Sequence, residues 1–242
     1  KLQCFRAFSA WVWNEYGFMK AAKYFHPDET TRIQSAVAEA EKKTSAEIVP
    51  AIASASGRYD RAEDVAGVWL AAIFVVITWL LLRWQGPETA QWGTTWSRFE
   101  LPLLLAAMVS GFVLGAMLAT YIDPLRRIFA PRREMKTEVR EAAARVFYDA
   151  RVHHTKAETG LLIYISVFER TAAIIADAKV LEKLGQETID ALVEKLVTGI
   201  KEGDAATSLC ETIKDAGDRL SVVMPGAARD KDELPNALIV ID

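Results

Sequence analysis

Residues 65–82 read VAGVWLAAIFVVITWLLL, and residues 101–122 read LPLLLAAMVSGFVLGAMLATYI. Neither stretch contains a charged residue. At about 1.5 Å per residue, a helix over the second stretch covers the ~30 Å hydrocarbon core of a bilayer, and a helix over the first is slightly short of it. A buried helix in a soluble protein seldom lacks a charged face over such a length. The two stretches therefore predict a transmembrane hairpin over residues 65–122, and a pair of buried core helices is the alternative.

Aromatic and small residues favour the membrane interpretation. Trp69 and Trp84 bracket the first stretch, and indole rings prefer the headgroup level, where one side is apolar and the other wet. In the second stretch a small residue recurs at every fourth position, at Ala107, Gly111, Gly115 and Ala119. Such a stripe permits close approach of two helices, and we expect it to contact the first span. Homodimerisation of two copies through the same stripe is the alternative.

The positions of lysine and arginine predict the orientation of the hairpin. The loop at residues 83–100 contains only Arg83 and Arg98. The outer flanks contain Arg58, Arg61, Arg126, Arg127, Arg132, Arg133 and Lys136. Because cationic flanks stay in the cytoplasm, we expect a multi-pass protein of the cell (inner) membrane with both flanks cytoplasmic. Residues 123–133 would then be a basic linker where the chain leaves the membrane.

Composition excludes several classes of protein. A charged fraction of 25% and a net charge of −3 give no overall attraction to nucleic acid and exclude a disordered tail protein. Cys4 and Cys210 have no metal-ligand spacing, so we expect free thiols. Residues 1–18 are aromatic but lack the features of a signal peptide. We expect residues 1–25 to be an N-terminal extension, either an interfacial helix or a segment outside the functional unit.

Patterns outside the spans predict alternating helices and strands. Before the hairpin, Pro27 opens a helix, and residues 48–53 read as a strand in which Pro50 suggests an edge or a bulge. After the hairpin we expect a helix at residues 134–153, a fully buried strand at 161–168, a strand at 172–176 and two amphipathic helices.

The small number of strands constrains the domain organisation. About three strands are too few for two domains, so one sheet must be assembled from both sides of the hairpin. This is feasible because two spans return the chain to the membrane face that it left. We therefore expect a discontinuous α/β domain, residues 26–64 and 134–242. Its predicted fold is a small three-layer sandwich with a mixed sheet of about three to four strands.

Several segments resemble the TPM domain, a small α/β fold. They are TSAEIV at residues 44–49, TGLLIYIS at 159–166, ERTAAIIAD at 169–177, GIKEGDAATSL at 199–209 and Asn236 near the end. The resemblance covers residues 24–242 and is to the bacterial membrane branch of the family, in which two spans interrupt the domain. Relatives of this type have been linked to acid phosphatase activity, calcium binding, photosystem repair and modulation of membrane partners. The resemblance thus implies an architecture more firmly than an activity.

Carboxylates are the candidates for any hydrolytic chemistry. The sequence has no Cys-x5-Arg loop, no Asp-x-Asp pair and no glycine-rich phosphate cradle at a strand–helix turn. Glu47, which opens the first strand, and Asp177, which ends the third, are the candidate catalytic residues. The candidate metal ligands are Asp60, Asp177, Glu187 and Asp190, whose oxygens would suit Ca²⁺ or Mg²⁺. Alternatively, these acids are helix caps and surface charges.

Two functions follow from these observations. The first is a non-catalytic interaction, assembly or maintenance module for a membrane complex, with the bilayer and another membrane protein or a second copy as partners. The second is a weak metal-assisted acid phosphatase. His153 and His154 do not favour a metal enzyme, because adjacent helical side chains point about 100° apart. We expect them to interact with a helix C-terminus instead.

Overall fold

The computed structural model describes residues 20–57, 59–84, 97–122, 127–155, 158–226 and 237–242, with the backbone alone for residues 60–62, 97 and 98. The predicted extension at residues 1–18 and most of the hairpin loop lie outside this part of the chain. The described residues fall into two compact units. One lies within Arg58–Pro131 and is called the helical hairpin; the other, formed by Met19–Gly57 and Arg132–Asp242, is called the α/β domain.

The elements alternate between helices and strands on both sides of the hairpin. In chain order they are α1 (Pro27–Glu41), β1 (Glu47–Ala53), α2 (Asp60–Trp84), α3 (Ser97–Tyr121), α4 (Arg132–Asp149), β2 (Gly160–Ser166), β3 (Thr171–Ala176), α5 (Ala178–Leu184), α6 (Gln186–Glu202), α7 (Ala205–Val223) and β4 (Ile239–Ile241). Short 3₁₀ turns lie at Ala21–Lys23 and Val152–His154. Helices α2 and α3 form the helical hairpin, and all the other elements belong to the α/β domain.

The strands form a mixed sheet in the order β3-β2-β1-β4. Strand β1 is parallel to β2 and β4, and β3 is antiparallel to β2. A mixed sheet of three to four strands was expected, and the four described strands confirm it. Because β1 precedes the helical hairpin and β2 follows it, the central strand pair joins the two parts of the chain that flank the hairpin.

Helices cover both faces of this sheet. Consecutive residues of a strand point to opposite faces, so Ile48 and Val49 enter different cores. The core under α1, α6 and α7 contains Ile33, Ile48, Leu161, Leu196, Leu209 and Ile213. The core under α4 contains Val49, Val139, Phe147, Leu162 and Tyr164. Full burial of each large aliphatic side chain contributes about 1.5–3 kcal/mol, so these two cores are the main source of the domain's stability.

The expectation that Pro50 marks an edge strand or a bulge is wrong for the strand as a whole, because β1 is internal. Among the described residues, however, β4 pairs only with Ala51–Ala53. The Ser54 N–H donates to Ile241 O at 3.0 Å, and strand alternation places the Pro50 nitrogen on this same side, before β4 begins. On that side the Ile48 N–H donates to Glu41 Oε1 at 2.9 Å. Proline is therefore tolerated because its missing donor faces a locally unpaired edge.

Three helices have boundaries that differ from the predicted ones, and one further helix was not predicted. The helix predicted at 134–153 ends at Asp149, because Arg151 adopts a left-handed conformation with φ of 56°, and the two histidines lie in the following 3₁₀ turn. A further short helix, α5, separates β3 from α6. Helix α2 extends beyond the uncharged stretch at both ends, since polar residues continue the helix. Helix α3 begins four residues before its own uncharged stretch and ends at Tyr121.

Candidate functional site

The candidate catalytic residues Glu47 and Asp177 lie in one row at one end of the sheet. Glu47 of β1 pairs with Gly160 of β2. On the other side of Gly160, the Asp177 N–H donates to the Gly160 carbonyl at 2.9 Å. Neighbouring strands are about 4.8 Å apart, so the backbones of Glu47 and Asp177 are separated by roughly 10 Å. The two carboxylates therefore flank Gly160 from opposite sides.

Asp177 has a structural contact in this row. Its Oδ2 accepts a hydrogen bond from the Gly160 N–H at 2.9 Å, so the two residues bond reciprocally. A Cβ at Gly160 would lie 2.2 Å from the Val152 carbonyl oxygen, which shows that the 3₁₀ turn packs directly on this backbone. The contacts of Asp177 thus fasten the end of β3 to the start of β2.

The three candidate metal ligands whose side chains are described, Asp177, Glu187 and Asp190, do not form a group that could hold a metal ion. Glu187 and Asp190 are exposed on the first turns of α6, where the Gln186 side chain donates to Asp190 Oδ1 at 2.8 Å. Asp60 is the first residue of α2, and its side chain lies outside the described atoms. Within the part of the chain that the structure describes, no group of three or more His, Cys, Asp or Glu side chains could hold a metal ion.

A buried polar cluster at the opposite end of the sheet was not predicted. Glu169 is 7% exposed and follows β2 in the turn to β3. Its Oε1 accepts from the Ser56 N–H at 2.9 Å and the Gly57 N–H at 3.3 Å, and its Oε2 accepts from the Ser166 hydroxyl. The Ser56 hydroxyl lies 3.0 Å from the Tyr164 hydroxyl. Glu169 therefore holds residues 56–57, which are followed by only two residues before α2 begins at Asp60.

The hydrogen bonds among Ser56, Gly57, Tyr164, Ser166 and Glu169 give this cluster a structural role, and we call the cluster the clasp. Burial raises the pKa of the Tyr164 phenol, and the nearby Glu169 carboxylate raises it further, against the opposing effects of Ser56 and Arg145. The phenol therefore stays protonated at neutral pH and acts as a hydrogen-bonding group. Ser166 is fully buried, so a substrate has no access to its hydroxyl. The sequence feature that could have indicated this cluster is Glu169 itself, a glutamate in the turn between two apolar strands, three residues after Ser166.

In the helical hairpin, small residues of α3 lie directly against α2. A Cβ at Gly111 would lie 2.8 Å from Ala71 Cα, and one at Gly115 would lie 2.9 Å from Ala66 O. Ala119 is fully buried and Ala107 half-buried. At one end of the pair, the Thr120 hydroxyl donates to Glu63 Oε2 at 3.2 Å. The stripe of small residues is thus occupied by α2 within a single copy of the chain.

The remaining surface of the helical hairpin is apolar and exposed. Glu63–Trp84 and Phe99–Tyr121 are long and apolar enough to cross a membrane. In an apolar 18-residue segment of each helix, only 17% is buried within the structure. Large exposed side chains on the two helices include Val68, Trp69, Leu81, Leu101 and Val109. Core helices of soluble proteins bury such residues. Both described helices therefore carry many large apolar side chains that are exposed.

Comparisons with known proteins give one structural similarity. No protein-family model matches the sequence, and no curated protein sequence matches it. The fold is similar to the NMR structure of the BA42 protein from the psychrophilic bacterium Bizionia argentinensis, with a TM-score of 0.51 and 18% sequence identity. The match covers 89% of this chain and 94% of that chain. At this level of identity the similarity concerns the fold alone.

Proposed function

We propose that this is a multi-pass protein of the cell (inner) membrane whose helical hairpin crosses the bilayer and whose α/β domain is cytoplasmic. In this proposal the α/β domain is a non-catalytic interaction or assembly module for a membrane complex. One observation carries the proposal. Two helices of membrane-spanning length have apolar side chains on all sides, and their most apolar windows are only 17% buried.

The energetics of exposed apolar surface support the membrane location. Exposure of apolar area to water costs about 25 cal/mol per Å², and monomeric soluble proteins rarely expose patches above a few hundred Å². A bilayer removes this cost because its hydrocarbon is as apolar as leucine. The contacts between α2 and α3 also fit this environment, since membrane helices associate through small residues.

The arrangement of the carboxylates favours an interaction module over an enzyme. Asp177 bonds to a backbone N–H, and Asp190 accepts from a neighbouring side chain. The resemblance to the TPM domain family, in its membrane branch, agrees with this role, and we extend the proposal to membership of that family. Because α2 occupies the stripe of small residues on α3, a partner membrane protein would contact other surfaces of the helical hairpin or of the α/β domain.

One observation keeps the phosphatase as a second candidate. Glu47 and Asp177 lie in one row at the same end of the sheet, on either side of Gly160, where Ca²⁺ or Mg²⁺ could recruit further oxygen ligands. Purified full-length protein in detergent should show no phosphomonoester hydrolysis if the interaction module is correct. Metal-dependent hydrolysis that is lost in Glu47→Ala and Asp177→Ala would establish the enzyme instead.

Membrane insertion is tested by a charge placed on each unit. Val76 lies near the middle of α2 and is 54% exposed, whereas Val222 of α7 is 81% exposed. Val76→Lys should release much of the protein from alkali-washed membranes, because a central lysine disfavours insertion by about 2.5–3.5 kcal/mol. Val222→Lys should leave the membrane fraction unchanged. If both variants behave alike, or if the unmodified protein is soluble without detergent, the proposal fails.

The partner is tested by crosslinking in native membranes. A photo-crosslinker on the exposed surface of the α/β domain should capture one defined membrane protein in stoichiometric yield. The same captured protein should be lost when the domain is unfolded by a core substitution. Capture of only abundant, unrelated neighbours would contradict the interaction module.

A further inference from the structure

The first turns of α4 carry a row of cations. Arg132, Lys136 and Arg140 are spaced four residues apart and therefore lie along one side of the helix, with Arg133 beside them. All four side chains are exposed. The opposite side of α4 faces the sheet through Met135, Val139 and Phe147, so the orientation of the helix is fixed. We call the four cations the basic stripe.

Within the part of the chain that the structure describes, the basic stripe lacks neutralising partners. Among the described residues, none of its four side chains forms an ion pair. Glu134 and Glu138 on the same helix are half-buried, and Glu138 lies against Gly57. Glu141, at the end of the stripe, is its exposed acidic neighbour. The stripe therefore presents a local excess of positive charge, although the net charge of the whole chain is −3.

This arrangement breaks two rules of helix stability. Positive charges in the first turn oppose the helix dipole, whose N-terminal end is itself positive, and Arg132 and Arg133 occupy that turn. Like charges four residues apart also repel, as in the row from Arg132 to Arg140. Residues that violate local rules without a compensating internal contact often serve a function. A negatively charged partner would remove both costs.

The position of α4 in the chain identifies that partner. Helix α4 begins eleven residues after α3 ends, and only two residues separate Gly57 of the α/β domain from the start of α2. If α2 and α3 span a bilayer, two short connections keep the domain close to the lipid surface. Cationic segments at such positions attract acidic lipids, and guanidinium groups pair with phosphates in a bidentate manner.

We propose that the basic stripe of α4 binds the headgroups of anionic phospholipids and holds the α/β domain against the membrane surface. This inference rests on the proposed membrane insertion of the helical hairpin. Each cation near an anionic surface strengthens attraction about fivefold, so neutralising four should weaken the contact on the order of a hundredfold or more. The charges would then do more than set the topology during insertion.

The test measures the distance of α4 from lipid headgroups in the full chain. A fluorophore is attached to Thr137→Cys, an exposed position beside the stripe, in a Cys4→Ser and Cys210→Ser background. The protein is reconstituted in phosphatidylcholine vesicles with and without about one-third phosphatidylglycerol, each containing a nitroxide-headgroup lipid that quenches nearby fluorophores. We expect quenching to rise with the anionic lipid and to fall in about 1 M salt, which shortens electrostatic range to ~3 Å.

Three variants test whether the charge of the basic stripe causes the quenching. Combined Arg132→Gln, Arg133→Gln, Lys136→Gln and Arg140→Gln should reduce quenching to the level in neutral vesicles. The matched control neutralises four exposed cations of α5, α6 and α7 by Lys183→Gln, Lys201→Gln, Lys214→Gln and Arg219→Gln, and should keep the response. Replacing the three arginines of the stripe by lysine should also keep it, because the charge remains.

The outcomes distinguish this inference from the proposed function. Protein that inserts into vesicles but is quenched equally with and without phosphatidylglycerol overturns the inference and leaves the membrane proposal standing. Equal loss in the stripe variant and the matched control also overturns it, since net charge would then be the cause. Loss of a bound acidic protein from the stripe variant, without a change in quenching, would assign the stripe to a protein partner. Failure to insert at all would overturn the membrane proposal itself.

Discussion

The helical hairpin and the α/β domain use the same aliphatic residues in opposite ways. Leu196 of α6 is 0% exposed, whereas Leu81 of α2 is 57% exposed. Helix α6 has a polar side that faces water, with lysine and acidic residues between its buried positions. Helix α2 has no such polar side between Val65 and Leu82. The difference is that one unit buries its apolar residues in protein, while the other leaves many of its apolar residues exposed on the described helices.

The residues that bring helices together differ as well. In the α/β domain, branched side chains such as Ile213 and Leu209 of α7 are fully buried in one core with residues of α1, α6 and the sheet. In the helical hairpin, Gly111 and Gly115 allow backbones to touch. Without a hydrophobic driving force between helices in lipid, close contact of backbones supplies the attraction.

The largest expected difference between the two units is in their response to truncation of a leucine. Leu196→Ala should reduce the free energy of unfolding of the α/β domain by about 2–5 kcal/mol, because it leaves a cavity in a closed core. Leu81→Ala should change stability little, since lipid fills the space. The reactivity of the half-buried Cys210 thiol reports unfolding of the α/β domain, which contains no tryptophan. Tryptophan fluorescence reports the helical hairpin when Trp11 and Trp13 are replaced by phenylalanine in both variants. Similar losses in both variants would contradict the comparison.

A larger residue on each side of α3 tests which side contacts α2. Gly111→Leu should destabilise the pairing of α2 and α3 by about 1–3 kcal/mol, because its side chain would collide with Ala71. Ala106→Leu lies on the exposed side and should be neutral. Proximity of α2 and α3 can be followed by disulfide formation between engineered cysteines. If Gly111→Leu instead abolishes a dimer and leaves the pairing of α2 and α3 intact, the stripe of small residues on α3 serves homodimerisation.

Removal of Glu169 tests the clasp that ends the α/β domain where the chain continues to α2. Glu169→Ala leaves the Ser56 N–H and the Ser166 hydroxyl without their acceptor, which should cost roughly 1–3 kcal/mol. Glu182→Ala removes an exposed carboxylate of α5 and should have almost no effect. Denaturant titration with the Cys210 probe measures both. An equal, small effect in the two variants would mean that residues 56–57 are held by other contacts.

The smallest expected effect is the pH dependence from Asp218. The Lys43 ammonium, 2.7 Å away, lowers the pKa of the Asp218 carboxyl below its usual 3.8. A depressed folded-state pKa stabilises the domain above the usual pKa, and this contribution is lost as the pH falls through the lowered value. Both side chains are about half exposed, so the effect should be slight. Asp218→Asn should flatten the stability profile below about pH 4 and leave it unchanged at pH 7.

The sequence predicted the elements whose signals are local. Uncharged runs located both apolar helices to within a few residues, because neither length nor charge depends on distant contacts. The apolar run at 161–168 indicated β2 as a central strand for the same reason. The expected number of strands was also adequate, since Ile239–Ile241 supplies only a short fourth strand.

Features that depend on distant partners escaped prediction. The clasp joins Ser56 to Glu169, which lie 113 residues apart, and nothing near either residue indicates the other. Pro50 suggested an edge strand because the rule considers one strand alone, whereas the short β4 covers only part of β1. The row of Glu47, Gly160 and Asp177 likewise arises from register, which the sequence alone did not specify.

The most direct test of membrane insertion is the side of the membrane from which single cysteines can be labelled. Single cysteines are introduced by Lys42→Cys before the helical hairpin, Glu88→Cys within its loop and Glu182→Cys after it, in a Cys4→Ser and Cys210→Ser background. In sealed inside-out and right-side-out vesicles, a membrane-impermeant thiol reagent should label positions 42 and 182 from the same side, and position 88 only from the opposite side. Labelling of positions 42 and 182 from opposite sides, or of all three in protein that never enters the membrane, would contradict the account.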